Sequence, residues 1–276
     1  MKFMYIAGLE HSGSTLLNEQ MAQRSQVLGL GEVGNFFSPQ HMEAYIDRWG
    51  NEPDARLCSC GETWEKCSFW RDVMDLCGER SNNSHVEKYA RLFKYIRRQF
   101  PKIRVVVDST KSRHILDMLI DNSDQLGIGG DAIQIILVVK DVRSFALSIR
   151  RKTGQHSLVR AIRTMNWWYG ETSTFLTYGR RIGSSLKIVS YEKFCDDPDH
   201  VINAVLEENL LCNEEVENDV HSEGSHIVMG NKDYLMRNRR RIRYDTRWFM
   251  DDYVNLAYML HSRARRLNHR LYREAV

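Results

Sequence analysis

"IAGLEHSGST" (residues 6–15) leaves an apolar strand, turns at Gly8 and runs from Gly13 into the start of a helix. The spacing Gly8-x-x-x-x-Gly13-x-Thr15 is that of a phosphate-cradling loop, G-x-x-x-x-G-K-S/T. Ser14 occupies the lysine position, and that decides what the loop can hold. In a nucleoside-triphosphate enzyme the loop lysine and magnesium neutralise the β- and γ-phosphates. Without it the reactive end of a triphosphate is short of a cation. Two other kinds of loop share the pattern. One is a plain glycine turn before a helix. The other serves a donor whose transferred group carries less charge. A sulfo group bears a single negative charge, so helix-terminal N–H groups and hydroxyls can hold its neighbouring phosphate without a metal.

The 276 residues are 42% hydrophobic and 27% charged, ordinary for a globular domain with a sizeable core. No apolar run approaches the roughly 18 residues that span a bilayer. The apolar part of the N-terminus is only about five residues long, too short for a signal peptide, so a cytoplasmic protein is expected. The net charge is +3, yet arginines outnumber acids strongly from Met236 onward, which suits an anionic ligand or a solvated helix face. Arginines 239–243 have few aromatics among them and no nucleic-acid motif beside them, so an anion-binding loop is favoured over a nucleic-acid partner.

Short β-rich runs alternate with helical stretches, the pattern of a central parallel sheet covered by helices: an α/β three-layer sandwich. Strands are expected at 3–8, 103–108, 133–139 and 186–190, with a further short apolar strand just before Glu32. Each ends where a polar segment begins, at the edge where open parallel sheets bind ligands. Residues 36–101 carry Trp49, a cysteine cluster, Trp64, Trp70 and the helical "HVEKYARLFKYIRRQF" stopped by Pro101. They are expected to form a helical insertion after the second strand, a lid or acceptor-binding subdomain within a single domain 1–276. Residues 250–272 place Tyr253, Leu256, Leu260, Leu267 and Leu271 at near-helical spacing, as in a packed amphipathic terminal helix.

The strand "IILVVK" ends in Lys140, where a triphosphate enzyme has a magnesium-site aspartate, and continues "DVRSFALS". Lys140 and Ser148 offer an ammonium and a hydroxyl to a second anion. "VVVD", however, ends in Asp108, a passable metal-site aspartate, so a magnesium-dependent kinase or hydrolase stays open.

With these stretches in order, the chain resembles the sulfotransferases that use 3′-phosphoadenosine 5′-phosphosulfate, most of all bacterial members with "HSGSTLL" (11–17) at the first loop. The resemblance implies that His11, Ser12, Gly13, Ser14, Thr15 and Leu16 hold the 5′-phosphosulfate. "KDVRSFALS" (140–148) is similar to the 3′-phosphate motif, implying that role for Lys140 and Ser148. "VSYEKFCDDP" (189–198) implies that Tyr191 lies against the adenine. "HIVMGNKDYLMRNRRRIRYDTRW" (226–248) resembles the segment closing over the 3′-phosphate end, implying Gly230, Asn231 and one arginine of 237–243, Arg237 first. "CSCGETWEKCSFW" (58–70) is similar to an element of the bacterial members. Two departures stand out: His11 replaces the usual lysine or arginine, and Lys140 replaces an arginine, giving up a bidentate grip.

The implied chemistry is in-line, metal-independent transfer of a sulfo group to a hydroxyl or amine of a small-molecule or carbohydrate acceptor, releasing adenosine 3′,5′-bisphosphate. His11 would meet charge on the leaving oxygen or donate a proton; the alternative is a loop histidine that caps the helix. Glu32, in "LGLGEVGNFF", resembles the family's catalytic glutamate and would be the general base, against a plain surface carboxylate. His41 and His114 are alternative bases. Lys111, in "DSTKSRH" (108–114), would bind the transferring group, Asp108 would orient Lys111 or the loop, and a helix N-cap by Asp108 or Ser109 explains part of the same stretch. Cys58, Cys60 and Cys67, with a fourth ligand such as Cys77, have the makings of a zinc site, but the spacing is not that of a standard finger. Core thiols are as good an account, and no metal is expected. Trp49, Trp64 and Trp70 suit either a sugar face or the insertion's core. A non-catalytic nucleotide-binding protein is the third class of function left open.

Overall fold

A computed structural model describes residues 1–49, 56–78, 84–129, 132–154, 156–181, 186–206, 225–230, 242 and 244–276. The sheet is parallel and six-stranded, in the order β5-β4-β1-β3-β2-β6. Its strands are β1 (Lys2–Gly8), β2 (Val27–Gly31), β3 (Val105–Asp108), β4 (Ile133–Val139), β5 (Leu186–Ser190) and β6 (Ser225–Val228). Every residue of β2, β3 and β4 is buried, as are the last six of β1. Burial on both faces is what a parallel sheet under helices produces, and it accounts for the unbroken apolar runs.

Two of the four expected strands, 133–139 and 186–190, have their expected bounds. The one expected at 103–108 begins at Val105, because Ile103 is still turning, its N–H on the Phe100 carbonyl (3.0 Å). Strand β6 was not expected: unlike β3, also of four residues, it opens on the polar Ser225 and His226 and leaves no apolar run to read.

The chain divides into two compact units. The first comprises residues 1–6, 15–134 and 206–240. Here β1 pairs with β3 (Phe3 opposite Val106), β3 with β2 (Leu28 opposite Val106), and β2 with β6 (Gly31 opposite Val228). Between β2 and β3 lie α2 (Val33–Phe36), α3 (Pro39–Trp49), α4 (Ser68–Cys77) and α5 (His85–Gln99). Helix α5 starts on a capping box, Ser84 with Glu87. It buries Tyr89, Leu92, Phe93 and Ile96, an i, i+3, i+4, i+7 spacing that makes one apolar stripe. Trp64 and Trp70 are 6% and 0% exposed, with Trp70 4.7 Å from the Phe36 ring. They fill the core and offer no sugar face. The side chain of Trp49 lies outside the described residues. After β3 comes α6 (Arg113–Asp121). Its N-cap is Ser112, not Asp108 or Ser109, because two further residues of loop precede the first turn.

The second unit comprises residues 7–14, 135–205 and 241–276. It contains α7 (Val142–Thr153), α8 (Leu158–Arg181), α9 (Tyr191–Asp196), α10 (Pro198–Leu206), α11 (Asp252–Leu260) and α12 (Ser262–Glu274). The expected terminal helix is thus two helices broken at His261, which ends α11 and caps α12 through its ring nitrogen to the Ala264 N–H (3.2 Å). The buried face of α11 also differs. Val254, Ala257 and Tyr258 face inward, whereas Tyr253, Leu256 and Leu260 are exposed. Arg143 selects that face: its guanidinium lies 3.7 Å from the Trp248 ring and 4.5 Å from the Tyr258 ring. In α12, Leu267 and Leu271 are buried as expected.

Candidate functional site

In the second unit β1 ends at Gly8, whose φ of +135° and 2.7 Å clearance to the Val138 carbonyl oxygen leave no room for a Cβ. His11 follows at φ +63° and Gly13 at +96°. Helix α1 (Ser14–Met21) then begins inside the motif, so a helix N-terminus, the usual seat of a bound anion, belongs to the motif itself. Ser12 is 2% exposed, and its Oγ has no hydrogen-bond partner among the described residues. A buried hydroxyl without a partner costs about 1–3 kcal/mol. An anion accepting from it would remove that cost, so the loop fits the phosphate end of a nucleotide. The ring of Tyr191 covers Gly13, where an added Cβ would lie 2.3 Å from its Cδ2.

Lys140, at the end of β4, is 8% exposed. Its ammonium donates to Ser148 Oγ (3.1 Å) and sits 4.9 Å from the centre of the Tyr191 ring. Burial holds its pKa below the ordinary lysine value. The two residues, eight apart in sequence, are thus bonded to each other, with Ser148 in the second turn of α7. Asp141 caps that helix and grips Arg143 through two bonds of 3.0 and 2.8 Å. The exposed His11 ring meets Lys152, a residue sequence reasoning missed: its ammonium is 3.4 Å from His11 Nε2 and 3.6 Å from a Glu10 oxygen. An ammonium only donates, so Nε2 accepts in this contact. Nothing in the spacing of Lys152, at the far end of α7, marks it as a loop neighbour.

In the first unit the ends of β2 and β3 meet. Glu32 Oε1 accepts from Lys111 Nζ at 2.5 Å, and Oε2 accepts from Asn35 Nδ2 at 2.8 Å. Both charged side chains are largely buried, 15% and 13% exposed. Lys111 holds φ +66°, a conformation that costs a non-glycine residue energy and that collects at functional loops. Two residues sequence reasoning assigned separately are thus one ion pair. Asn35 was missed, although its position one helical turn after Glu32 is a usable signal.

Asp108 is fully buried, and both its oxygens are taken. Oδ2 accepts from the Tyr89 hydroxyl (2.6 Å); Oδ1 accepts from the Thr110 N–H (2.7 Å) and hydroxyl (2.5 Å). Burial raises its pKa to about 6. A carboxylate so enclosed has no lone pair turned outward for magnesium, which counts against a metal-dependent triphosphate enzyme.

Gly230 follows β6 at φ +95°, where a Cβ would lie 2.8 Å from Thr15 Oγ1. Leu16 is buried. Asn231 and Arg237, with the other arginines to 243, lie outside the described residues. His41 is bonded to Ser38 Oγ (2.8 Å), and His114 is exposed in the first turn of α6.

No protein-family model matches the sequence, and no curated protein matches it as a relative. Solved structures do. The chain is similar to the sulfotransferase domain from the Synechococcus PCC 7002 olefin synthase, at 18% identity and a TM-score of 0.51, covering 98% of this chain and 94% of that one. It is similar also to the sulfotransferase domain from the curacin biosynthetic pathway, at 17% identity and a TM-score of 0.57, covering 100% and 98%. Likeness at this identity is a likeness of fold: the chain has the architecture of these sulfotransferase domains end to end.

Proposed function

We propose that this protein transfers a sulfo group from 3′-phosphoadenosine 5′-phosphosulfate to an acceptor hydroxyl. The observation that carries this is the makeup of the phosphate loop and its surroundings. A lysine-free glycine loop ends in a partnerless buried Ser12 hydroxyl, and a desolvated Lys140–Ser148 pair waits on β4 and α7. Two anion grips built from amides, hydroxyls and one ammonium suit a nucleotide with phosphate at both its 3′ and 5′ positions better than a metal-bound triphosphate.

The donor supplies an electrophilic sulfur whose bond to the bridging oxygen breaks as the acceptor oxygen bonds to it. Negative charge then grows on the bridging oxygen, where the α1 N–H groups, Ser12, His11 and the Lys152 ammonium beside it would stabilise it. Glu32 takes the acceptor's proton. Lys111 and Asn35 hold one carboxylate oxygen each, which fixes its direction. Release of the Lys111 ammonium toward the incoming sulfo group would free Oε1 for that proton. No magnesium is needed, and the saturated Asp108 supports leaving it out.

Thermal-shift titration tests this directly. Adenosine 3′,5′-bisphosphate without divalent cation is expected to stabilise the protein, and ATP with magnesium to do so much less. A preference for ATP with magnesium would replace sulfo transfer by phosphoryl transfer.

A further inference from the structure

Away from the phosphate loop, the first unit brings together four side chains that no step above uses. Cys58, Cys60 and Cys67 precede α4; His226 lies in β6, more than 150 residues later. One ligand atom from each lies within 4.8 Å of every other. His226 Nδ1 is 3.3 Å from Cys67 Sγ and 3.8 Å from Cys58 Sγ. Cys58 and Cys67 are 2% and 1% exposed and His226 9%, while Cys60 reaches the surface.

We propose that Cys58, Cys60, Cys67 and His226 hold one structural zinc ion. A tetrahedral zinc with Zn–S of about 2.3 Å and Zn–N of about 2.0–2.1 Å separates its ligands by about 3.5–3.8 Å, so no pair of the four atoms need close by more than about 1 Å to accept it. The backbone is already shaped for this. The chain turns tightly after Cys58, with Gly61 at φ +95° donating to the Cys58 carbonyl (2.9 Å). Cys67 caps α4 and is tied back to Thr63 (2.7 Å). The His226 ring is stacked on Phe69 at 7° between planes, and Trp70 Nε1 donates to the His226 carbonyl (2.6 Å). These contacts aim Nδ1 at the sulfurs without help from an ion. Left as thiols, the sulfurs are weak partners for a buried imidazole.

Three thiolates and a neutral imidazole select a soft, tetrahedral ion, and four protein ligands leave no open position for chemistry. On loading, three thiol protons depart and Zn²⁺ takes their place, leaving the site with a formal charge of minus one. The fourth ligand is His226, not Cys77, whose sulfur turns to the Lys88 carbonyl (3.9 Å). The ion would clamp β6 to the cysteine turn, and β6 sets the backbone at Glu32, whose N–H donates to the Val228 carbonyl (3.1 Å).

Metal analysis of the full chain, purified reduced and without chelator from zinc-supplemented medium, is expected to find about one zinc per chain. Cys77→Ser should keep it. Because Cys58→Ser and His226→Ala risk misfolding, the exposed Cys60→Ser serves as the decisive variant. After exchange to cobalt, the wild type should show the strong visible bands of a tetrahedral site and a thiolate-to-metal charge-transfer band, and Cys60→Ser should lose about a third of the latter. Substoichiometric zinc with all thiols open to a thiol reagent, an octahedral cobalt spectrum, a disulfide among the three cysteines, or equal metal loss in Cys77→Ser would each overturn the site. None of these readouts depends on sulfo transfer.

Discussion

Lys140 shows how much a single side chain can carry. Its ammonium is buried, bonded to one hydroxyl, and close to no carboxylate strong enough to offset its desolvation, so its pKa lies below that of a free lysine. A bound phosphate would supply the missing charge. Lys140→Ala is therefore expected to weaken adenosine 3′,5′-bisphosphate binding about 10- to 100-fold, the worth of a charged hydrogen bond. The sign of the pH dependence follows. As pH rises the ammonium deprotonates earlier than an ordinary lysine would, and affinity falls with it. Calorimetric titration from neutral to alkaline pH should show that decline in the wild type and not in Lys140→Ala; parallel curves would remove Lys140 from the grip. Glu32→Gln makes a separate claim. Transfer should fall about 10²- to 10⁴-fold as general-base catalysis is lost, with bisphosphate affinity unchanged. Labelled sulfate transfer that survives intact would dismiss Glu32 as the base. Lys140 and Ser148 were legible in the sequence as neighbours because eight residues carry a strand end into the second turn of a helix. The Glu32–Lys111 pair was legible only as two separate candidates, since their contact runs across 79 residues of separation.

At the scale of elements, two loops test how local geometry is enforced. Gly13 has φ +96° and Tyr191 pressed against it, so Gly13→Ala meets both backbone strain and a ring. The expected outcome is lost bisphosphate binding with an unchanged far-ultraviolet circular dichroism spectrum, because only the loop must move. Retained affinity would mean that Tyr191 yields freely and does not shape the loop. The turn after β3 depends instead on a buried charge. The folded-state pKa of Asp108, about 6, exceeds the ordinary 3.8, so the folded chain holds more protons than the unfolded chain between those values. This group's contribution is therefore full below 3.8 and is lost as pH rises through about 6. Above that, the Tyr89 hydroxyl bonds a charged carboxylate and is worth more. Tyr89→Phe should cost about 1–3 kcal/mol in urea unfolding at pH 8 and clearly less at pH 5; an equal loss at both would show that Asp108 does not change its charge between them. The strands on either side were readable as apolar runs. Strand β6 and the break at His261 were not, because β6 opens on two polar residues and a cap supplied by a histidine ring is a rare choice.

Across the whole molecule, the chain's two compact units carry different chemistry. The loop residues 7–14, Lys140, Ser148 and Tyr191 belong to one, and Glu32, Lys111, Asp108 and the Cys–His cluster to the other. The sequence showed the alternating α/β order that makes one parallel sheet, but it could not show this allocation, because Ser14 and Thr15 are neighbours in α1 and fall on opposite sides of the division. Ligands specific to one set of residues ought then to leave separate marks. Adenosine 3′,5′-bisphosphate at 100 times its dissociation constant stabilises the bound form by about 2.7 kcal/mol, roughly a hundredfold slowing of exchange for amides that open only when the ligand leaves. Hydrogen exchange should show that slowing at the loop, α7 and α9. Removal of the metal should instead speed exchange at residues 56–78 and 225–228 while the bisphosphate-protected amides keep their rates. If each perturbation instead moves amides throughout the chain by one common factor, the two units unfold together, and neither ligand can be credited with a local effect.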